Sequence, residues 1–301
     1  MVLGIPRLGN AQLRHVYNEL KRIDFNPKDT ITGWKGGGKL RLNANQSMYS
    51  NWRGGANNSV EVNALMNYQF NYQSKVILWD NYILADFGVN KLKRQKIRKT
   101  QDRLEYNSII GVKLPGEWSA SYFLNLQTQL TNSYDYENDL QKEHRINGFL
   151  APLYATTGPG VMWRKSNNLH FNMAPFTYKL TYINGRIHRY NKASQTFSND
   201  EQTDILGITA GKKFNYQLGF YSSALYRFNL SKNIKVENRL SLYSNYLDDF
   251  SNIDFDYTMR MNLRINDLIS TQVTFQARYD DDAYAGLQAR EALGVGVEFK
   301  L

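Results

Sequence analysis

Residues 60–72 read VEVNALMNYQFNY, and every even position is apolar or aromatic: Val60, Val62, Ala64, Met66, Tyr68, Phe70 and Tyr72. The odd positions include Glu61, Asn63, Asn67, Gln69 and Asn71. Successive side chains alternate between the two faces of a strand, whereas a helix would need apolar residues every three or four positions. The segment therefore makes a strand with one oily and one polar face. The pattern returns at Leu104, Tyr106, Ile110 and Val112, and at Trp118, Ala120, Tyr122, Leu124, Leu126 and Leu130. It appears again at Ile253, Phe255, Tyr257, Met259, Met261, Leu263 and Ile265. Water-soluble sandwiches alternate too, but their strands average about five or six residues, and a tilted membrane-crossing strand needs about nine to eleven. These runs have the longer length.

Working outward, short connections at 73–75, 113–117, 166–168, 230–233 and 266–267 alternate with long polar ones centred on 51–58, 90–101, 131–144, 184–203, 247–252 and 280–286. Periplasmic turns and external loops of a membrane barrel alternate in this way. Five turns and six loops join twelve strands and leave both ends on the periplasmic side. Residues 204–229 decide the count. A hairpin bent near 211–215 would give thirteen strands, but Leu206, Ile208, Ala210, Phe214, Leu218, Phe220, Ala224 and Phe228 share one parity. The expectation is one long strand rising beyond the membrane. The fold class read from the sequence is an all-β, closed antiparallel transmembrane β-barrel of about 12 strands over residues 34–301. Residues 1–33 precede it as a periplasmic segment.

Composition agrees with that class. Among 301 residues the tyrosines number 21 against 15 phenylalanines, which favours rings with a polar tip, suited to a boundary between oil and water. Cysteine is absent, which excludes disulfides, thiolate metal sites and thiol catalysis. The longest uncharged stretch, residues 146–163, is broken by Pro152, Pro159, Gly148, Gly158 and Gly160, so it is no spanning helix. With a mean hydropathy of −0.56, the chain enters a bilayer as a closed barrel or not at all, because only helices and barrels satisfy every backbone group in lipid. The start, MVLGIPRLGN, lacks the apolar run of a secretory signal, and the expectation is that a signal peptide has been removed.

The last strand alternates Leu293, Val295, Val297, Phe299 and Leu301 up to the final residue. Gly296, Phe299 and Leu301 resemble the C-terminal signal read by barrel-insertion machinery, with Leu301 where an aromatic is usual. Six segments, WKGGGKLRLNANQSMYSNWRGG, ILWDNYILADFGVNK, RKTQDRLEYNSIIGVK, FLAPLY, NRLSLYSNYL and ARYDDDAYAGLQAREALGVGVEF, together resemble an uncharacterised family of outer-membrane β-barrel proteins from the Bacteroidota. The resemblance implies a secreted precursor and a Gram-negative outer-membrane location. It carries over no activity and no catalytic residues.

Four groups of residues could carry function. Lys91, Lys93, Arg94, Lys96, Arg98, Lys99 and Arg103, opposed by Asp102 in a chain of net charge +10, form a block that attracts anions. On an external loop the nearest anions are lipopolysaccharide phosphates, and the alternative is a solvated loop with no ligand. No recognition motif accompanies the charge, so nucleic acid is not expected. Asp280, Asp281 and Asp282, with Asp248 and Asp249, offer oxygen ligands for calcium, although adjacent aspartates cannot all face one ion and solvated carboxylates are the ordinary reading. Asn63, Gln69, Arg103, Glu105, Asn125, Gln127, Arg260 and Arg264 are candidate lumen-facing residues. Finally, Leu13, Val16, Tyr17 and Leu20 follow the possible cap Asn10 at helical spacing, giving a short helix that plugs the mouth, docks a partner or packs nowhere. In SNWRGG, Trp52 serves as an anchor while Gly54 and Gly55 permit a reversal.

His15, His144, His170 and His188 sit in no nucleophile motif, and no catalytic residue or cofactor is expected. The first functional expectation is a small-solute or ion channel, or a solute-binding barrel, with a polar, basic lumen. A barrel of twelve strands is narrower than general porins, and long inward side chains can fill it. The second is a non-catalytic accessory subunit whose loops or N-terminal segment bind an envelope protein. The third is a barrel enzyme (a lipase, acyltransferase or protease), needing a rim cluster that spacing alone cannot display. In every case the expected partners are outer-membrane lipid and lipopolysaccharide, with the insertion machinery during biogenesis.

Overall fold

The computed structural model describes residues 32–47, 59–92, 96–166, 168–247, 250–265, 269–280 and 284–300. In chain order the strands are β1 (Gly33–Ser47), β2 (Ser59–Gln73), β3 (Ile77–Leu92), β4 (Arg98–Lys113), β5 (Trp118–Thr128) and the short pair β6 (Ser133–Tyr134) and β7 (Arg145–Asn147). There follow β8 (Leu153–Ser166), β9 (Leu169–Tyr182), a second short pair β10 (His188–Asn191) and β11 (Thr196–Asn199), then β12 (Phe214–Ser231), β13 (Ile234–Asn245), β14 (Ile253–Arg264), β15 (Ile269–Asp280) and β16 (Tyr284–Lys300). The twelve long strands form one antiparallel sheet in the order β1-β16-β15-β14-β13-β12-β9-β8-β5-β4-β3-β2. Its two edges meet, with Lys39 opposite Lys300 and Leu42 opposite Val297. No helix among the described residues is long and apolar enough to cross a membrane. The helix expected around Leu13 to Leu20, together with His15, Trp52, Gly54 and Gly55, lies outside the described residues.

Register assigns the faces. Glu105 opposes Gln127, Asn107 opposes Asn125 and Ile109 opposes Phe123, and all six are buried. The alternate positions Ile110, Val112, Trp118 and Tyr122 are exposed. A ring of strands has an inside and an outside, so the buried parity points inward. The outer surface is correspondingly apolar: Val60, Val62, Met66, Tyr68, Tyr178, Tyr216, Tyr226, Leu240 and Phe275 are exposed. Four tryptophans gather on that surface at the short-turn end, with Trp34 5.4 Å from Trp79 between ring centres and Trp118 opposite Trp163.

Two features depart from the regular ladder. Between Thr157↔Tyr178 and Val161↔Met173, β9 uses five residue steps where β8 uses four. The same extra residue appears against β12, between Gly219↔Thr177 and Tyr221↔Ala174. This bulge at Pro175 and Phe176 switches the inward parity of β9 from His170, Asn172 and Ala174 to Thr177, Lys179 and Thr181. Pro175 has no N–H to give to a ladder, which is why the irregularity sits there.

The second departure corrects the sequence reading. Residues 204–229 are not one strand, because β12 begins only at Phe214. Leu206 (φ 60°), Gly207 (φ 72°) and Gly211 (φ 80°) take left-handed backbone conformations, which no strand accommodates. The segment folds instead into the loop over β9 and β12, where Ile205 and Ile208 are buried with Ala151, Ile183 and Ile187. The shared parity reflects a packed loop, not a continued strand. The loop expected at 280–286 is likewise mostly strand, since β15 runs to Asp280 and β16 resumes at Tyr284.

Candidate functional site

Inward side chains of six neighbouring strands pack against one another inside the barrel. Ile109, Phe123, Met162, Ala174, Tyr221 and Tyr243, from β4, β5, β8, β9, β12 and β13, form one buried apolar cluster. Phe123 and Tyr221 stand three strands apart yet their ring centres are 5.6 Å apart. The Lys179 ammonium lies 3.9 Å over the Tyr243 ring, close enough for a cation–π contact. Tyr82 on β3 is buried within electrostatic reach of Arg239 on β13 and Arg260 on β14. In a ring of twelve, β3 and β13 are six places apart, the greatest separation possible. Side chains from opposite walls therefore come within electrostatic range of one another.

Charge inside the barrel is paired. The Arg227 Nε donates to Glu237 at 2.6 Å, and Arg239 closes on the other oxygen of the same carboxylate. Arg164 reaches Asp80 at 3.6 Å from three strands away. The fully buried Glu105 receives Asn125 Nδ2 at 3.3 Å and lies 3.8 Å from Arg103, and Asn125 also donates to Asn107. Gln276 Nε2 gives two hydrogen bonds to the buried Asp256, at 3.0 and 2.8 Å. Buried charges persist only when paired in this manner.

The second site is a folded cap on the long-loop end, made of residues 129–152 and 183–213. The apolar cluster around Ile183 and Ile187 is its core. The Arg145 guanidinium binds the carbonyls of Asn184 (2.7 Å) and Arg186 (3.0 Å), and Lys213 pairs with the buried Asp200 at 2.6 Å. The His144 ring stacks on Phe197 at 4.2 Å and meets His188 edge-on at 5.1 Å. Burial holds His188 below its ordinary value, with His144 and Arg186 adding to the effect, while its bond to the Arg145 carbonyl and the charge of Asp200 oppose it. Two long loops thus close on each other through histidines that no sequence spacing connects.

The sequence candidates scatter over these sites. Asn63, Gln69, Arg103, Glu105, Asn125, Gln127, Arg260 and Arg264 fall on inward register positions. Asn63 donates to Asp86 at 2.7 Å. The basic block is not one loop. Lys91 ends β3, Arg98, Lys99 and Arg103 belong to β4, and only 93–97 connects the two strands. Its charges are divided: Lys99 pairs with Asp102 at 2.6 Å, Arg98 lies over Tyr136, Arg103 turns inward, and Lys91 and Lys96 are exposed. Lys93 and Arg94 lie outside the described residues. So do Asp281, Asp282, Asp248, Asp249 and Leu301, while Asp280 closes β15 opposite Tyr284. Gly296 and Phe299 belong to β16. His170 is fully buried in β9, and His188 opens β10. Sequence reading missed the apolar lumen cluster, because Phe123, Tyr221 and Tyr243 sit on the parity that otherwise carries polar residues.

The family described as Protein of unknown function (DUF3078) matches residues 44–134. No curated protein matches the chain in sequence. Among solved structures, an outer membrane channel from Pseudomonas putida F1 is similar at 9% identity with a TM-score of 0.42, over 92% of this chain and 98% of that one. The NanC porin gives 9% identity and a TM-score of 0.38 over 88% and 100%. Outer membrane phospholipase A from Escherichia coli gives 10% identity and a TM-score of 0.35 over 94% and 96%.

Proposed function

We propose that this chain is a transmembrane β-barrel of the bacterial outer membrane, closed to free diffusion by its own inward side chains, which holds the folded loop cap at the cell surface as a recognition platform. The membrane reading is supported by an inside-out distribution of polarity: charged residues such as Glu105, Arg239 and Asp256 are buried, while Val60, Val62, Tyr122 and Leu240 are exposed. Exposed apolar area of this extent belongs in contact with lipid. Tryptophans concentrated at one rim suit the membrane interface.

The observation that carries the closed-platform reading is the packing of the Ile109 to Tyr243 cluster inside the ring, with Phe123 and Tyr221 in ring contact from strands three places apart. Passage of a small polar solute is the second reading, favoured by the polar wall of Asn107, Asn125 and Thr156. Swelling of liposomes loaded with the purified protein separates the two. The platform reading expects no sugar-driven swelling above protein-free liposomes, and swelling graded by sugar size would contradict it. Lys91 and Lys96 are the described members of the basic block open to lipopolysaccharide phosphates, and Gly296 with Phe299 is the segment offered to the insertion machinery.

A further inference from the structure

At the short-turn end of the barrel, apolar side chains continue to the tips of the turns. Val76, Leu114, Trp118, Leu230 and Ile265 are exposed there, with Trp34 on the same rim. Cations stand beside them. Lys75 lies in the β2–β3 turn next to Val76, and Lys113 ends β4 next to Leu114. Lys165 follows Trp163 by two residues near the end of β8, Lys232 follows Leu230 by two in the β12–β13 turn, and Arg264 ends β14 next to Ile265. All five cations are exposed. Each of the five short connections therefore carries positive charge beside an apolar or aromatic neighbour.

Little at this end balances the charge. Glu117 is the one carboxylate among the described residues of the turns. Lys75, Lys165 and Lys232 make no ion pair among the described residues, and the Lys113 ammonium donates to the Ser74 carbonyl of the neighbouring turn at 3.2 Å. The long-loop end is arranged the other way, with Lys99 on Asp102, Arg186 on Glu201 and Lys213 on Asp200. Water is a poor medium for the apolar half of the short-turn rim, and hydrocarbon for the charged half. The headgroup layer of a bilayer suits both: tryptophan rings and the methylene stems of lysines lie along the acyl chains while the ammonium reaches the phosphates.

We propose that Lys75, Lys165 and Lys232 bind the phosphates of anionic phospholipids in the leaflet on the short-turn side, so that the barrel gathers a negatively charged lipid ring at that end. The charge selects the headgroup. A zwitterionic lipid brings its own ammonium to each phosphate, whereas an anionic one leaves a charge for the lysine to neutralise, and each lysine near an anionic surface favours it by roughly fivefold. A soluble acidic partner would match the lysines but leave the outward Trp34, Trp118 and Leu230 without a counterpart. This inference rests on the membrane reading above and adds to it the headgroup and the residues that hold it.

The rim tryptophans supply the readout. Trp52→Phe leaves Trp34, Trp79, Trp118 and Trp163 as the fluorophores of the full chain. This protein is reconstituted in phosphatidylcholine vesicles that contain a fixed fraction of either phosphatidylglycerol or phosphatidylcholine brominated on the acyl chains, since bromine quenches a tryptophan it touches. At low salt the phosphatidylglycerol should quench with an apparent contact constant about two- to fivefold above that of phosphatidylcholine, and the preference should shrink at about 1 M salt, where screening is short-ranged. Lys75→Gln, Lys165→Gln and Lys232→Gln together should bring the two lipids to equality, while arginine at the same three positions should keep the preference. Equal quenching with the lysines in place, a preference that survives the glutamines, or one lost equally with the arginines overturns the proposal. Quenching by neither lipid would overturn the membrane reading itself.

Discussion

His188 shows how a single side chain can couple the cap to pH. Its folded value lies below the free value of about 6.5, so as pH falls the unfolded loop takes up the proton before the folded one does. The stability it contributes is therefore complete above about pH 6.5 and is lost as pH drops from there through the lowered folded value. Asp200 acts in the same direction at lower pH. Burial alone would raise its carboxyl, but Lys213 and the Ile187 amide hold it below the usual carboxylate value. Its contribution is complete above about pH 4 and lost as pH falls through the depressed value. Amide exchange in residues 144–147 and 187–190 should be faster at about pH 5 than at about pH 7.5 once the intrinsic rate is corrected, and His188→Gln should remove most of the difference. An unchanged protection pattern in the wild type would show that His188 does not hold the cap. None of this is visible in the sequence, where His144 and His188 are separated by the whole of β8 and β9. Their meeting depends on which strands are neighbours in the ring.

Strand order and faces, by contrast, are legible element by element wherever period two runs unbroken. The alternation over residues 60–72 assigns the same faces as the register of β2 against β1 and β3. It fails at 204–213 because hydrophobic parity cannot report a left-handed φ at Leu206, and apolar residues that pack a loop core look like those that continue a strand. The basic block is misread for a related reason: charge marks exposure to water but not the end of a strand, and β3 and β4 run on through Lys91, Arg98 and Lys99. At β8 the glycines act as elements of wall geometry. A Cβ at Gly160 would lie 2.5 Å from the Met173 carbonyl oxygen, so Gly160→Val forces the bulged strand outward. Its urea midpoint in lipid vesicles should fall by the equivalent of about 1–3 kcal/mol, the usual cost of overpacking, and no change would mean that β9 yields freely at this point.

For the molecule as a whole, the twelve-strand ring and its inside-out polarity follow from alternation and connection length, so the class of fold is within reach of the sequence. Whether the lumen is open is not. That depends on side chains from distant strands meeting, as Phe123 meets Tyr221, and on apolar residues of the inward parity converging from six strands. The inward cluster gives the barrel an internal apolar core, and its long-loop end carries a second, smaller core that orders the cap. The central claim is that the filling closes the lumen. It is tested most directly by planar-bilayer recording of the wild-type protein beside a hollowed variant combining Phe123→Ala, Tyr221→Ala and Tyr243→Ala, both first shown to be folded. The account predicts silence from the wild type and steady current from the hollowed barrel, and steady ohmic current from the wild type would contradict it.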